Sequence, residues 1–521
     1  MCNNPAVFIA FEEQDNLGVG YIASVLSQTG FDIRIIDFRL GKKSILDSII
    51  HYNPLVVGFS IIFQYHIYDF KDLISYLREH GVNCHFTAGG HYPSLRYSEL
   101  FDIIPTLDSI VLFEGEHTLL DLVQSIYSGK EWKHIKGIAY KKNGATVANA
   151  LRPLEKDLDH FPPPVRQPLK EYALGKKYAT ILAARGCYYN CSFCSIRQFY
   201  SKPPGPLKRV RRPEMVVREM ELLHEQLDCS IFMFQDDDFP VAGHRGKEWV
   251  INFCELLVKK GLADKVLWKI NCRPDEVKAD TFKLMKNAGL FLVYLGIEDG
   301  TDDGLGFMDK HMTAETNIKT VDTLKELDIK YDFGFMLFHP SSTYQSITDN
   351  LVFLENICGD GSSPITFCKM LPYAETKIEH ELKRDGRLKR RPGFEDYDFI
   401  DASLNHFYSF LANCFEDWIG KHDGLLNISR WARYHLLVYR KYFPITPSFR
   451  DMDNTVNEVT SHSNMFFIDT LRLLVSMFSS GKYKENGFDA LEITKKEVAS
   501  KHLQYKTKLI EVIDHIESVV N

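Results

Sequence analysis

Three thiols stand within eight residues: Cys187, Cys191 and Cys194, in the run Arg185-Gly186-Cys187-Tyr188-Tyr189-Asn190-Cys191-Ser192-Phe193-Cys194. Thiolate sulfur at that density suits an iron–sulfur cluster or zinc. A closed structural zinc site takes four ligands. No fourth Cys or tight Cys/His pair follows within reach in sequence, although distant Cys229 or Cys272 is available to supply one. Three thiolates on a four-iron cluster leave one iron open for a small ligand, and the spacing favours this reading over zinc and over unligated thiols. The chain has eleven cysteines, an odd number with one tight cluster, which argues a reducing compartment and a single thiolate metal site rather than a disulfide framework.

The elements around this loop alternate. Up to about residue 130, apolar runs at Ala6–Ala10, Ile33–Asp37, Leu55–Ser60, His85–Gly90 and Ser109–Phe113 read as strands. Helical spacing appears at Leu17–Gln28, Ile45–Ile50, Phe70–His80 and Leu119–Tyr127. Short connections between them predict a parallel sheet covered by helices on both faces, with binding outside the carboxyl ends of the strands. Asp37, Ser60, Gly89-Gly90 and Glu114-Gly115-Glu116 fall at those ends. Phe161-Pro162-Pro163-Pro164 breaks both helix and sheet and marks a linker. From Tyr178 alternation resumes for about six strand–helix units, the last strand expected at Thr366–Met370. The expected domains are 1–150, a linker at 151–175, a partial barrel at 176–392 and a mostly helical region at 393–521.

Lys plus Arg is 62 and Asp plus Glu 69, a net charge of −7, with 45% hydrophobic residues. That balance describes a folded chain with no global attraction to nucleic acid or anionic lipid. Lys208-Arg209-Val210-Arg211-Arg212 reads as a solvated basic face, since no aromatics interleave as in nucleic-acid readers. The uncharged run Ser48–Tyr68 contains Asn53-Pro54, Gly58 and Gln64 and reads as a buried strand with flanks, not a membrane span. The start Met1-Cys2-Asn3-Asn4-Pro5 lacks the blocks of a signal peptide, so a cytoplasmic location is expected.

The Cys-x3-Cys-x2-Cys spacing, with Phe193 before the third Cys, resembles the signature of radical S-adenosylmethionine enzymes. In that family the open iron chelates S-adenosylmethionine and an electron from the cluster releases a 5′-deoxyadenosyl radical. The resemblance implies S-adenosylmethionine contacts from Phe193, Gln235, Asp236, Asp237, Arg273 and Glu298, in the runs Phe234–Phe239, Asn271–Asp275 and Gly296–Thr301. Leu371-Pro372-Tyr373-Ala374-Glu375-Thr376 resembles the family's turn near the barrel's end. The acidic run departs from the usual Gly-Gly-Glu. Read without the family, Asp236–Asp238 cap a strand and helix, Arg273 pairs with Asp275, and Glu298 is a structural acceptor.

The first domain resembles the cobalamin-binding domain that precedes many such enzymes, a flavodoxin-like fold. The resemblance implies corrin contacts from Leu17, Gly18, Ser60, Gln64, Tyr65, Gly89, Gly90, Glu114, Gly115 and Glu116. Where many cobalamin domains carry Asp-x-His-x-x-Gly, this chain reads Asp37-Phe38-Arg39-Leu40-Gly41, so no imidazole from that motif is expected on cobalt, and a role there for His66 stays open. An otherwise similar domain holding nothing, or a phosphate ligand, is the alternative.

Together the resemblances imply a cobalamin-dependent radical enzyme that methylates an unactivated carbon of a small molecule through methylcobalamin and the 5′-deoxyadenosyl radical. They imply a four-iron cluster, S-adenosylmethionine and cobalamin as cofactors, and an external electron donor of the flavodoxin or ferredoxin type. The alternatives are rearrangement, ring contraction or oxidative cyclisation without methyl transfer, and a cofactor-binding sensor without turnover. No further catalytic side chain is assigned. The aromatic-rich C-terminal region, with Trp418, Trp431, Tyr434, His435, Tyr439 and Tyr442, is expected to close the pocket and choose the substrate.

Overall fold

The computed structural model describes residues 4–391, 394–482 and 487–520. Two compact units result: Met1–Leu169 with Thr180–Met215 and Leu371–Asp396, and Lys170–Ala179 with Val216–Met370 and Tyr397–Asn521. Neither unit is contiguous in sequence.

In the first unit, β1 (Ala6–Ala10), β2 (Ile33–Asp37), β3 (Val56–Ser60), β4 (His85–Gly89) and β5 (Ser109–Val111) run parallel in the order β2-β1-β3-β4-β5. Strand period two splits β1 between two cores. Val7 and Ile9 join Val57, Phe59 and Phe86 on one face, while Ala6, Phe8 and Ala10 join Val56 and Ile138 on the other. The sheet is thus covered on both faces, as the continuous apolar runs required. The order reverses between β1 and β3, the kind of switch point where such sheets bind ligands. An antiparallel extension, β6 (Ile138–Lys142) and β7 (Ala145–Ala148), was not anticipated. Its signal was Asn143-Gly144, a two-residue hairpin turn with φ of 51° and 82°.

The proline-rich segment packs onto the first helix, Leu17–Gln28. Leu158 and Phe161 bury against Leu17, Tyr21 and Val25. The Ser24 hydroxyl donates to the Pro163 carbonyl at 2.7 Å, and the Val165 N–H to the Gly20 carbonyl at 3.0 Å. A Cβ on Gly20 would fall 2.7 Å from the Val165 oxygen, so close backbone approach requires glycine there.

Next in the chain come β8 (Glu171–Ala173) and β9 (Lys176–Ile181), then the two-residue strands β10 (Ala184–Arg185) and β11 (Arg209–Val210), an antiparallel pair in the first unit. β12 (Cys229–Phe234), β13 (Leu267–Cys272), β14 (Leu290–Glu298) and β15 (Lys330–Phe335) complete a partial barrel sheet of order β15-β14-β13-β12-β9-β8. Helices between consecutive strands, such as Gly243–Lys259 and Ala314–Glu326, cover its outer face. The expected last strand, Thr366–Met370, is reduced to a single parallel bridge, Phe338↔Lys369. The Cys368 N–H donates to the Phe335 carbonyl and the Met370 N–H to the Phe338 carbonyl, but no longer ladder forms. Beyond it lie the helices Ala402–Cys414, Leu425–Tyr442, Pro447–Ser479 and Gly487–Val520. Among the described residues no helix is long and apolar enough to cross a membrane.

Gly20→Val should overpack the helix–linker contact and lower the stability of the chain by about 1–3 kcal/mol in urea unfolding; an unchanged midpoint would show that the contact yields.

Candidate active site

In the first unit the three cysteines sit on the loop that leaves β10, and all are half-buried. Gly186 begins it at a φ of 86°, where a Cβ would lie 1.9 Å from the Leu207 carbonyl oxygen. Glycine is therefore the residue that lets the loop leave its stem. The Cys194 N–H donates to the Cys191 carbonyl at 3.1 Å, closing a turn over the last two sulfurs. Arg197, from the helix Ile196–Ser201, donates to the Tyr188 carbonyl at 2.8 Å. The Ile378 N–H donates to the Ser192 carbonyl at 3.2 Å. Among the described residues no three His, Cys, Asp or Glu side chains close on a single-ion site. The donor set is three thiol sulfurs on one anchored loop, which fits the three-cornered grip of an open cluster. Cys229, a fourth ligand considered from sequence, is buried in β12 with its thiol donating to the Ile231 carbonyl at 3.3 Å. Cys272 is buried at the end of β13.

The stem of the loop is held by charge. Arg209 grips Glu114 through two nitrogens at 2.8 and 2.9 Å, and Arg185 reaches Glu114 at 3.1 Å and Glu116 at 2.7 Å. Arg209 is 4% exposed and Glu116 4%, so these are interior pairs. Burial by itself would raise the Glu114 pKa, but Arg185 and Arg209 outweigh it and hold the carboxyl below its usual range. The Arg185 guanidinium also lies 4.9 Å over the Tyr21 ring and 5.2 Å over Phe161. The basic run Lys208–Arg212, expected as a solvated face, is instead mostly interior. Lys208, Arg209 and Arg211 are buried, and Arg211 and Arg212 share Asp159 at 3.1 and 3.0 Å. Pairing of β11 with β10 draws the run inward, where each guanidinium needs an acidic partner.

A cavity of about 280 Å³ opens in the same unit. Its walls are Ile62, Phe63 and Gln64 beyond β3, His91, Tyr92 and Leu95 beyond β4, Ser195 and Ile196 directly after Cys194, and Tyr373-Ala374. The Gln64 side-chain oxygen accepts from the Ala374 N–H at 3.1 Å. Arg96 ties this wall down, pairing with Glu375 and, at 2.6 Å, with Glu379. Gly90 has a φ of 121°, and a Cβ on it would stand 2.4 Å from the Ile61 oxygen. Gly90 thus lets the segment after β4 pack against the backbone after β3, which sets His91 and Ile62 in one wall. His91 stacks on Phe199 at 4.3 Å, and burial pushes its imidazole down to about 4.

Of the residues the resemblance assigned to the corrin, Gln64 lines the cavity, with Gly89-Gly90 at the foot of the wall that begins at His91. Ser60 ends β3, and Tyr65 is 42% exposed beside Phe63, 5.4 Å between ring centres. Leu17 is buried against the linker, Gly18 is exposed on the first helix, and Gly115 precedes the helix Glu116–Tyr127. The Glu114 and Glu116 carboxylates face Arg185 and Arg209. His66 bonds Asp69 at 2.7 Å through Nδ1. Asp37 pairs with Arg39 at 2.7 Å. His91 was missed; its signal was its place directly after the glycine pair.

In the second unit, Gln235–Asp237, Arg273 and Glu298 come to the carboxyl ends of β12, β13 and β14; Phe193 belongs to the cysteine loop of the first. Gln235 and Asp237 are exposed and Asp236 is buried. Asp275 holds Arg273 with a two-pronged contact at 2.9 and 3.0 Å, the pairing weighed from sequence, and the Lys310 carbonyl accepts from Arg273 at 2.6 Å. Glu298 occupies a left-handed conformation, φ 69°, where the β14–β15 register slips. Such backbone strain in a non-glycine residue collects at functional sites. Lys310 lies 3.8 Å from its carboxylate, yet burial outweighs the cation and raises the Glu298 pKa.

Residues 10–123 match the B12 binding domain family, and residues 181–354 the Radical SAM superfamily. The chain is similar to an uncharacterised methyltransferase of Pyrococcus horikoshii, 27% identical over 401 residues, 75% of this chain and 84% of that one. It is also similar to the anaerobic magnesium-protoporphyrin IX monomethyl ester cyclase of Rubrivivax gelatinosus, 29% identical over 64% of this chain and 60% of that one. Among solved structures, the cobalamin-dependent S-adenosylmethionine radical enzyme OxsB, with aqua-cobalamin and S-adenosylmethionine bound, superposes with a TM-score of 0.69. That match has 16% identity and covers 99% of this chain and 80% of that one.

Arg209→Met removes one partner of a buried ion cluster and should cost roughly 3–5 kcal/mol of stability in urea unfolding; a loss below 1 kcal/mol would show that Arg185 alone suffices. His91 carries a folded pKa of about 4 against 6.5 when unfolded. The unfolded chain therefore binds the extra proton first, and stability falls as pH drops from about 6.5 to about 4, by about 3 kcal/mol from this group. His91→Phe should remove that part of the acid sensitivity, read as the difference between the two unfolding free energies across the same pH range.

Proposed function

The chain belongs to the cobalamin-dependent radical S-adenosylmethionine enzymes, with cobalamin, S-adenosylmethionine and a four-iron cluster as its cofactors, and from that premise we propose that it transfers a methyl group to an unactivated carbon of a small molecule. The observation that carries the reading is the first unit's cavity, walled by the residues after β3 and β4 and by Ser195, the neighbour of Cys194. Ser195 and Ile196 would bring the cysteine loop to a corrin held there. When bound, the cluster supplies the electron that cleaves S-adenosylmethionine and the corrin supplies the methyl group.

The protein's own residues hold and shield. Cys187, Cys191 and Cys194 grip the cluster by three corners. Arg185 and Arg209, locked on Glu114 and Glu116, keep the loop's stem from moving as charge changes upon it. Ile62, Phe63, Leu95 and Ile196 give the cavity apolar walls that exclude water from a radical. The Asp37–Gly41 run carries no histidine, so no imidazole from that motif meets the corrin, while His66 bonds Asp69 through Nδ1 and keeps its Nε2 for either role. Gln235, Asp236, Asp237, Arg273 and Glu298 in the second unit, and Phe193 in the first, are the side chains we assign to S-adenosylmethionine. The electron comes from a flavodoxin- or ferredoxin-type donor, and the enzyme works in the cytoplasm. The relation to a named cyclase favours a second reading, ring formation without methyl transfer.

Anaerobic preparation should give about four irons per chain, lost together in the triple Cys187→Ala, Cys191→Ala, Cys194→Ala variant, while bound corrin survives. The reduced enzyme should form 5′-deoxyadenosine, and with substrate also S-adenosylhomocysteine and a methylated product. A zinc-only preparation defeats the cluster assignment; 5′-deoxyadenosine with a dehydrogenated, unmethylated product selects cyclisation.

A further inference from the structure

The concave face of the partial barrel carries a second chemistry. Along β12 to β15 the outward residues, among them Phe232, Ile270, Val293 and Phe333, are almost wholly buried. The alternate positions Met233, Lys269, Asn271, Tyr294, Gly296 and Gly334 keep accessible surface. Tyr294 is 37% exposed, yet burial and then Glu298 push its hydroxyl well up. Cys368, exposed as well, is pushed up to about 12, first by burial. Tyr294 shares with Lys269 and Asn271 the hollow of the second unit's sheet, the face away from its helices.

Two cations of that hollow, Lys269 and Arg430, keep capacity for an anion. Lys269 lies across from Met233, and Asn271, Tyr294 and Asp332 form the next row of the register. The Lys269 ammonium donates to the Asn271 side-chain oxygen and sits 5.6 Å over the Tyr294 ring. Among the described residues no carboxylate forms an ion pair with it. Asp332 is engaged elsewhere: Arg433 donates to it at 2.9 Å, and Tyr434 donates to its other oxygen. Arg430 adds a further cation, 4.0 Å from Asp332, whose buried Nε has no hydrogen-bond partner. Asp332 is thus shared between Arg430 and Arg433, and it forms no ion pair with Lys269. Burial lowers Lys269 to about 8, with Asp332 and Asp236 opposing. Gly296 and Gly334, paired in register, form the next row, over which the Glu298 carboxylate, the Lys310 ammonium and the Tyr294 hydroxyl reach. Lys269 lies four residues before Arg273 on β13, deeper than the strand-end rim assigned to S-adenosylmethionine.

We propose that Lys269 and Arg430 anchor an oxyanion, a carboxylate or phosphate of the substrate, on the floor of the barrel. This rests on the methyl-transfer reading only in calling the ligand a substrate. An oxyanion supplies the ion-pair partner that Lys269 lacks and an acceptor for the Arg430 Nε, and Asn271 and the Tyr294 ring hold the ammonium in place to receive it. The sequence-based expectation of a small-molecule substrate thereby narrows to an anionic one.

The test uses the full-length holoenzyme with S-adenosylmethionine at saturation and chloride holding ionic strength constant. Thermal unfolding is followed against inorganic phosphate and, separately, acetate. Saturable stabilisation is expected with at least one. The half-saturating concentration should rise at least tenfold in Lys269→Met and stay within about threefold in Lys269→Arg, since charge rather than ammonium shape is what the site needs. A response to phosphate alone assigns a phosphorylated substrate; a response to acetate, a carboxylate. No saturable response, a response that Lys269→Met leaves unchanged, or one that appears only without S-adenosylmethionine overturns the proposal. Formation of 5′-deoxyadenosine is measured on the same preparations. If it never forms, the methyl-transfer reading falls while the anion result stands; if it forms and Lys269→Met changes nothing, only the anchor falls.

Discussion

Glu114 is the pivot of the first unit. A carboxylate in the interior is tolerable only with its partners in place, and here two guanidiniums converge on it from opposite strands of one short stem. Arg185 lies on β10 and Arg209 on β11. Because those residues face each other in register, one acid ties both sides of the stem to the end of the corrin-domain sheet. The cysteine loop begins one residue beyond Arg185. Its position relative to the cavity therefore follows from an electrostatic lock together with the packing of Phe199 and Tyr200 into the unit's core. Such a lock favours one register because any slip leaves a charge unpartnered.

The same unit shows why its connecting segments are not passive. The proline-rich stretch lies on the first helix through Gly20, and Leu371–Thr376 closes the cavity through Arg96 and Gln64. Residues far apart in the chain thereby build one wall. In the second unit the alternation of the strands does comparable work. One face is filled by Phe232, Ile270 and Val293, which holds the sheet to its helices, and the other is left to polar side chains and two glycines. The C-terminal helix Leu425–Tyr442 shows both uses within a few turns. Tyr439 stacks on Phe449 at 5.0 Å and Trp431 packs on Tyr172, a structural aromatic core. Arg430, Arg433 and Tyr434 instead reach Asp332.

Much of this was legible beforehand. The five parallel strands of the first unit follow from short β-branched runs separated by amphipathic helices, and their observed ranges differ from the expected ones by a few residues at most. The antiparallel pair beyond them was overlooked although Asn143-Gly144 announces its turn. Thr366–Met370 failed as a strand because its pattern is apolar, while a ladder also needs a neighbour in register, and only Phe338 offers one. The basic run Lys208–Arg212 was misread for a related reason: charge alone does not reveal that Glu114 and Asp159 wait in the interior.

Local order alone settled what depends on neighbours in the chain: the spacing of three sulfurs, the glycine that lets their loop turn, the alternation that makes two α/β layers, and hence the chemistry of the cofactors. Tertiary structure alone decided what depends on distant partners. It paired Glu114 with Arg185 and Arg209, set Ser195 in the wall with Gln64 and His91, and left Lys269 bonded to Asn271 with no ion pair among the described residues. The reason is physical. Covalent spacing and backbone periodicity act over a few residues, whereas the energy of a charge is set by everything packed around it.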